Sequence, residues 1–148
     1  MLIKNKRALL TGLAIASVLT ASPLLAESRK DYTLSCSANG FTGTAYVTAV
    51  RNGDLLFATT TGYTIKAPGE SQSRTSANLN LRVWGATKNA WSPWSYSNDN
   101  LQQDGVRRPV FVKASVNESR LGAVEVNFIF DKTGTDPRCT AKEMIRKF

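Results

Sequence analysis

The stretch from residue 123 to residue 130 reads AVEVNFIF, and apolar side chains occupy every second position in it. A period of two places these side chains on one face of a β-strand, whereas an amphipathic helix needs a period near 3.6. Other short segments alternate in the same way, which predicts a chain built mainly from strands. The rows predicted to share a strand face are Val124, Val126, Phe128 and Phe130; Leu79, Leu81 and Val83; Val110, Val112, Ala114 and Val116; and Tyr32, Leu34 and Cys36.

An Asn-Gly pair at residues 52–53 separates two segments rich in threonine and other strand-forming residues. Such a pair is a strong hairpin signal, because asparagine and glycine tolerate the positive φ angles of the tight turns that join antiparallel strands. We therefore expect strands over residues 42–50 and 55–61 to pair. The strands over residues 110–116 and 124–130 are also expected to be antiparallel neighbours, because their connection is too short for a crossover.

The C-terminal segment has a different pattern, in which the apolar residues follow helical spacing and a threonine and a glutamate three residues apart fit a capping box. No alternation of strands and helices precedes it. The predicted fold class is therefore mainly β: a two-sheet antiparallel β-sandwich, or a small barrel, with a short C-terminal α-helix. The predicted helix face is Ala141, Met144, Ile145 and Phe148, with the cap at Thr140 and Glu143.

The first 26 residues have the composition of a secretory signal peptide. Three basic residues precede an apolar run, and small residues around Ala26 resemble a cleavage site. The run is shorter than the ~20 residues of a membrane-spanning helix, so we favour cleavage over a retained anchor and expect no stable membrane insertion after it. Residues 27–148 are then predicted to form a single β-rich domain that is periplasmic or secreted.

The sequence contains two cysteines, Cys36 and Cys139, and no histidine. In the oxidising compartments that exported proteins reach, an even pair predicts a Cys36–Cys139 disulfide that closes the domain, with two free buried thiols as the alternative. Two thiols so far apart in sequence fall short of the usual four-ligand set of a structural zinc site. No metal site and no cofactor are therefore predicted.

The formal net charge of the whole chain is +8. The predicted signal peptide holds three of the 19 basic residues and none of the 11 acidic ones, so residues 27–148 carry 16 positive and 11 negative charges, or +5. These charges are spread along the chain, with Arg107 and Arg108 as an adjacent pair in the middle of the domain. Nucleic-acid binding, which favours a clustered basic stripe, is therefore not predicted.

The lack of histidine removes most of the familiar hydrolytic sites. Ser-His-Asp and Cys-His arrangements require it, as do the common catalytic zinc sites. Paired carboxylates are the remaining route to a hydrolase, and the pairs to consider are Asp99 with Asp104 and Glu118 with Glu125. Each lies in or beside a predicted turn, where acidic residues are ordinary surface residues, so the chain is predicted not to be an enzyme.

Two of the three tryptophans lie in the stretch AWSPWSYSNDN, residues 90–100. Residues 91–95 are similar, letter for letter, to the Trp-Ser-x-Trp-Ser signature of cytokine receptors, a resemblance of five residues that implies tryptophans stacked with arginines. In that family the motif lies just before the last strand of a fibronectin-type sandwich, whereas more than fifty residues follow it here, so we carry over the stacking and not the family. Pro93 favours an extended backbone from which Trp91 and Trp94 project to the same side. The arginines available for a cation-π stack that would brace this loop are Arg82, Arg107 and Arg108.

The same side chains would form a recognition surface if their rings were open to solvent. Tryptophan, tyrosine and arginine are enriched at protein interfaces, and flat rings beside polar side chains also suit sugars. We expect an exported, non-enzymatic binding module that recognises or inhibits another protein; the alternatives are a structural or adhesive envelope component and a carbohydrate-binding module. The sequence does not indicate an oligomeric state. The residues predicted to contact a protein or glycan partner are Trp84, Trp91, Trp94, Tyr96, Arg82, Arg107 and Arg108.

Overall fold

The computed structural model describes residues 28–146, so the predicted signal peptide at residues 1–26 and the helix residue Phe148 lie outside the described residues. Nine strands form two antiparallel sheets within this range. The strands are β1 Ser28–Ala38, β2 Phe41–Asn52, β3 Leu55–Lys66, β4 Asn78–Gly85, β5 Ala90–Trp91, β6 Ser95–Tyr96, β7 Lys113–Asn117, β8 Gly122–Ile129 and β9 Arg138–Ile145, with a 3-10 helix at Gly69–Ser73. Sheet 1 has the order β1-β2-β3-β7, and sheet 2 has the order β5-β4-β8-β9 with β6 also paired to β4. The prediction of a mainly β chain with two antiparallel sheets is confirmed.

The Asn-Gly hairpin is confirmed. Strands β2 and β3 pair antiparallel from Asn52 opposite Leu55 to Thr42 opposite Lys66, and Gly53 in the turn has a φ of 58°. The register shifts between Tyr46 and Val47. A shift of this kind makes the strand bend and increases its local twist.

Inward-facing side chains of both sheets enter one hydrophobic cluster. Strand β2 contributes Gly43, which lies directly against the ring of Phe128 on β8. A Cβ atom at residue 43 would lie only 2.6 Å from this ring. The ring of Phe130 stacks on Phe41 with centroids 5.0 Å apart, and it stacks on Phe128 with centroids 5.9 Å apart. The strand rows predicted from alternation therefore supply this shared core.

The predicted C-terminal helix is wrong, because residues 138–145 form β9 and pair antiparallel with β8. Residues 28–146 contain no α-helix. The 3-10 helix in this range is not long and apolar enough to span a membrane. In β9 the partly or fully buried Cys139, Ala141 and Ile145 occupy alternate positions on one side. Glu143 falls on that same side and interrupts the apolar row, which is why the segment resembled a helix.

The predicted pairing of the strands over residues 110–116 and 124–130 is also wrong. Strand β7 pairs with β3 in sheet 1, whereas β8 lies in sheet 2. The short connection between them changes sheets at Glu118, which is 1% exposed. Its backbone carbonyl accepts a hydrogen bond from the guanidinium of Arg51, which donates a second one to the carbonyl of Arg120.

The predicted disulfide is confirmed: Cys36 on β1 is bonded to Cys139 on β9, and the two residues are 103 positions apart in the sequence. The bond joins the edge strand of sheet 1 to the edge strand of sheet 2. Disulfides persist in oxidising compartments. The bridge is therefore typical of a protein located outside the cytoplasm.

The long connection between β6 and β7 is anchored by Gln103, whose side chain is fully buried. Its amide nitrogen donates hydrogen bonds to the carbonyls of Ser71 and Asp131, and its amide oxygen accepts one from the backbone N–H of Asp131. Three isolated backbone bridges add to this anchor. They pair Ala77 with Leu101, Lys66 with Asp104 and Tyr63 with Arg108.

Candidate functional site

The aromatic stretch lies along the edge of β4 that faces away from β8 in sheet 2. After a turn in which Asn89 has a φ of 47°, Trp91 in β5 pairs opposite Trp84. The hydroxyl of Ser92 accepts a hydrogen bond from the backbone N–H of Val83. Ser97 accepts one in the same way from the N–H of Leu79, so serine hydroxyls take the place of a regular strand partner. The serines thus tie the aromatic segment to β4.

The guanidinium of Arg82 contacts both tryptophans of this segment. Its central carbon lies 4.4 Å from the ring centroid of Trp91 and 4.3 Å from that of Trp94. The same guanidinium forms an ion pair with Glu125 on β8, with 2.7 Å between Nη2 and Oε2. The two rings are half-buried, and each gives one face to Arg82, so the stack predicted from the sequence is present at Arg82.

Three outward side chains meet beside this stack. Alternation along β4 places Trp84 on the outer face of sheet 2, where it is half-buried opposite Trp91 on one side and Ala123 on the other. On β9, Lys142 and Met144 point to the same face, because Met144 pairs opposite Ala123. A shallow pocket of about 240 Å³, which we call the Trp84 pocket, is lined by Trp84, Trp91, Ala123, Lys142 and Met144.

Tyr96 is the most exposed of the predicted aromatic residues, with 68% of its surface accessible. It pairs opposite Asn80 in β4, and the amide nitrogen of Asn80 donates a hydrogen bond to Asn127 at 3.4 Å. The outer face of sheet 2 therefore continues from the Trp84 pocket into a polar strip with one open aromatic ring.

Arg107 and Arg108 are not part of this surface, although they were predicted to be. Both lie beside β3 in sheet 1, where the backbone of Arg108 pairs with Tyr63. The guanidinium of Arg108 binds Asp104 through contacts of 2.6 and 2.8 Å. That of Arg107 instead lies 3.6 Å from the ring centroid of Tyr46. The predicted set is thus divided between the two sheets, because residues 104–112 run along sheet 1 and not along β4.

Three of the four acidic residues that were considered for catalysis have structural partners; they are Asp104, Glu118 and Glu125. Hydrogen bonds from Arg108 lower the pKa of Asp104 to about 2. Burial alone would raise the pKa of Glu118, but hydrogen bonds from Thr87 and Arg120, together with the charge of Arg51, hold it below its usual value. Glu125 is paired with Arg82. In the part of the chain that the structure describes, no three His, Cys, Asp or Glu side chains are grouped closely enough to hold a metal ion.

Several residues of these surfaces were not predicted as site residues. Met144 had been placed on a helix face, yet it is 42% exposed at the Trp84 pocket. Tyr46 and Arg29 line a depression on sheet 1. The available signal was the alternation of threonine and serine along β1 and β2, which leaves one face of sheet 1 polar and open.

No protein-family model, curated protein or solved structure matches this chain.

Proposed function

We propose that this chain is an exported, non-enzymatic binding module that recognises or inhibits another protein in the periplasm or outside the cell. The proposed contact surface is the outer face of sheet 2, centred on the Trp84 pocket. The observation that carries the proposal is that Trp84, Trp91 and Met144 share one shallow pocket with Lys142. Tryptophan and methionine are enriched at protein interfaces, and pocket-forming aromatic residues are frequent binding hot spots.

The Arg82 stack supports this proposal by fixing the pocket wall. Trp91 gives one face to Arg82 and also lines the Trp84 pocket. A ring that is already immobilised loses little conformational freedom on binding, which favours affinity.

We also propose that the two sheets pack face to face as a sandwich, since side chains from both enter one hydrophobic cluster. Such a scaffold would hold the surface rigid.

The test uses tagged residues 27–148 and envelope or culture extracts. The unaltered protein is expected to retain one stoichiometric partner, and the double variant Met144→Asp, Lys142→Glu is expected to lose it, because both exposed side chains border the pocket. The matched control is Phe111→Ser, which removes a 78% exposed ring beside sheet 1. Retention of the same partner by the double variant would overturn the proposal, as would failure to retain any partner.

A self-assembling envelope component is the second candidate. Among residues 28–146, strand β7 is the last strand of sheet 1 and pairs with β3 alone, so one of its edges is free for another strand. The exposed ring of Phe111 lies two residues before this strand. The assembly candidate predicts concentration-dependent polymers in light scattering that Phe111→Lys abolishes. A strict monomer at millimolar concentration would exclude it.

A further inference from the structure

The outer face of sheet 1 carries a depression of about 280 Å³ that the proposed function does not use. The guanidinium groups of Arg107 and Arg29 border it, together with the ring of Tyr46. Three threonines add hydroxyl groups to its lining, which also includes Asp31, Tyr32 and Val47; the threonines are Thr33, Thr48 and Thr61. We propose that this depression, the Arg107 site, binds a carboxylate-bearing sugar within an acidic glycan.

Backbone contacts hold the segment that contains Arg107 close to β3. Its neighbour Arg108 exchanges two backbone hydrogen bonds with Tyr63, at 2.8 and 2.9 Å. Beneath it, residue 62 is a glycine, and a Cβ atom there would lie 3.0 Å from the carbonyl oxygen of Arg108 and 3.6 Å from Nε of Arg107. The lack of a side chain at Gly62 therefore allows the arginine segment to approach the sheet closely.

The side chain of Arg107 is ordered by stacking and not by an acidic partner. Its guanidinium carbon lies 3.6 Å from the ring centroid of Tyr46. No carboxylate among residues 28–146 forms an ion pair with it. A guanidinium stacked on a ring keeps its N–H donors at its rim, where they can bind a carboxylate in a bidentate geometry. Arg107 is therefore positioned to bind an anion.

The charges around the depression leave it positive. Asp31 lies 3.7 Å from the guanidinium of Arg29 and accepts a hydrogen bond of 2.6 Å from Thr48. Arg29 donates a further hydrogen bond to Thr48. Asp31 is thereby compensated by Arg29, and the positive charge of Arg107 is left over. One negative group on the ligand would balance the site.

The hydroxyl groups indicate the class of ligand. Thr33 and Thr61 are exposed beside Arg107 on the flat face of sheet 1. The hydroxyl of Thr61 donates a hydrogen bond to the carbonyl of Tyr46 and can still accept one from a sugar hydroxyl, whereas the hydroxyl of Thr33 can both donate and accept. The face continues into further hydroxyl residues at Ser35 and Thr44. The volume of about 280 Å³ lies just below the usual range for ligand pockets, which begins at about 300 Å³. It suits one sugar ring, with neighbouring sugars of a glycan lying along the strands.

The experiment is a calorimetric titration of residues 27–148 with hexagalacturonate. Its fully methyl-esterified form is the neutral comparator, and inorganic sulfate at equal charge concentration tests for simple anion binding. We expect saturable binding of the acidic hexamer, at least tenfold weaker binding of the ester, and no displacement by sulfate. Equal binding of the ester, displacement by sulfate or no binding of the acid would overturn the proposal.

Variants locate the site. Arg107→Gln is expected to weaken binding at least tenfold, and Arg107→Lys to weaken it less, because the charge is kept while the planar fork is lost. The control is Arg120→Gln, which makes the same charge change at an exposed residue outside the depression and is expected to stay within twofold of wild type. Thr61→Val provides a second variant that leaves the arginine in place and is expected to weaken binding about threefold. Equal effects of Arg107→Gln and Arg120→Gln would overturn the proposal, because they would indicate attraction to the net charge alone.

Discussion

Arg82 and Glu125 form an ion pair across β4 and β8, and 27% of the arginine side chain and 13% of the glutamate side chain are exposed. The pair neutralises a guanidinium that is also covered by two tryptophan rings. Stacking of this kind depends on the flat shape of the arginine group as well as on its charge. Arg82 therefore adds to the attachment of the aromatic segment to sheet 2 in two separable ways, through its charge and through its flat shape.

Substitution of Arg82 separates these two contributions. We expect Arg82→Lys, which keeps the charge and loses the flat group, to lower the free energy of unfolding by about 1 kcal/mol. Arg82→Ala also leaves Glu125 half-buried and unpaired, and is expected to cost about 3 kcal/mol. Urea unfolding monitored by circular dichroism measures both values. Arg120→Lys is the control, and equal losses for the two lysine variants would show that the stack contributes nothing.

Reduction of the disulfide should destabilise the fold. On the chain-entropy account, a bridge that closes a loop of 103 residues stabilises a protein by up to about 4.7 kcal/mol, because it restricts the unfolded chain. We expect the double variant Cys36→Ala, Cys139→Ala to lose about 2 to 5 kcal/mol in chemical denaturation. Wild-type protein in dithiothreitol should behave in the same way. An unchanged midpoint in both cases would contradict the expected role of the bond.

Glu118 should make stability depend on acid pH. Its pKa in the folded state lies below the ordinary glutamate value of 4.5, so ionised Glu118 stabilises the fold above that value, and the contribution is lost as the pH falls through the folded-state pKa. Glu118→Gln is expected to cost about 2 kcal/mol at pH 7, since it removes charge-assisted hydrogen bonds to a buried group. The difference from wild type should shrink towards pH 3.

Urea unfolding between pH 3 and pH 7 measures this difference. Glu70→Gln, an exposed change in the 3-10 helix, is the control and should show no pH-dependent difference. A difference between Glu118→Gln and wild type that stayed constant over the whole range would mean that the charge of Glu118 does not stabilise the fold.

Gly43 should not tolerate a methyl group. A Cβ atom at this position would lie 2.6 Å from the ring of Phe128, closer than atoms in a packed core approach. We expect Gly43→Ala to lower the free energy of unfolding by about 1 to 3 kcal/mol through overpacking. Adding Phe128→Leu should recover part of the loss, because it removes ring atoms from that point. Additive losses in the double variant would show that the two residues are not in contact.

The acidic pKa of Asp104 should depend on Arg108. The carboxyl of Asp104 is expected to titrate near pH 2 in a carbon-detected NMR experiment, because Arg108 donates two hydrogen bonds to it. Arg108→Gln should move the pKa up towards the ordinary value for aspartate. The neighbouring variant Arg107→Gln is the control and should leave it in place. Equal shifts in both variants would point to net charge and not to the ion pair.

The sequence predicted those features that depend on local pattern. Alternation located the strand rows, the Asn-Gly pair located the hairpin, and two cysteines in a chain with a predicted export signal indicated the bond. The spacing of Trp91 and Trp94 predicted a stack on an arginine, but it did not distinguish Arg82 from Arg107 and Arg108. Turn geometry and strand periodicity are local properties, so neighbouring residues contain that information, whereas the disulfide followed from the number of cysteines and the predicted compartment.

The features that were missed depend on distant partners. Residues 138–145 carry both a helical and a two-residue pattern, and the choice is made by the edge of β8, which offers backbone hydrogen bonds along the whole segment. The length of the turn after β7 allows a hairpin. Instead, the chain passes from sheet 1 to sheet 2 at this turn, where Glu118 is buried and hydrogen-bonded to Arg51. Arg107 was separated from the tryptophans by the path of a long loop that no local pattern specifies.

The buried side chain of Gln103 should make the protein more resistant to proteolysis. Long irregular connections are where proteases usually cut, since their backbone must open into an extended form to enter an active site. The segment between β6 and β7 is fastened by a fully buried amide and by three backbone bridges, so opening it would break all of these contacts together. Where degradative enzymes are present, this tether would protect the segment that an attacking protease would otherwise cut first.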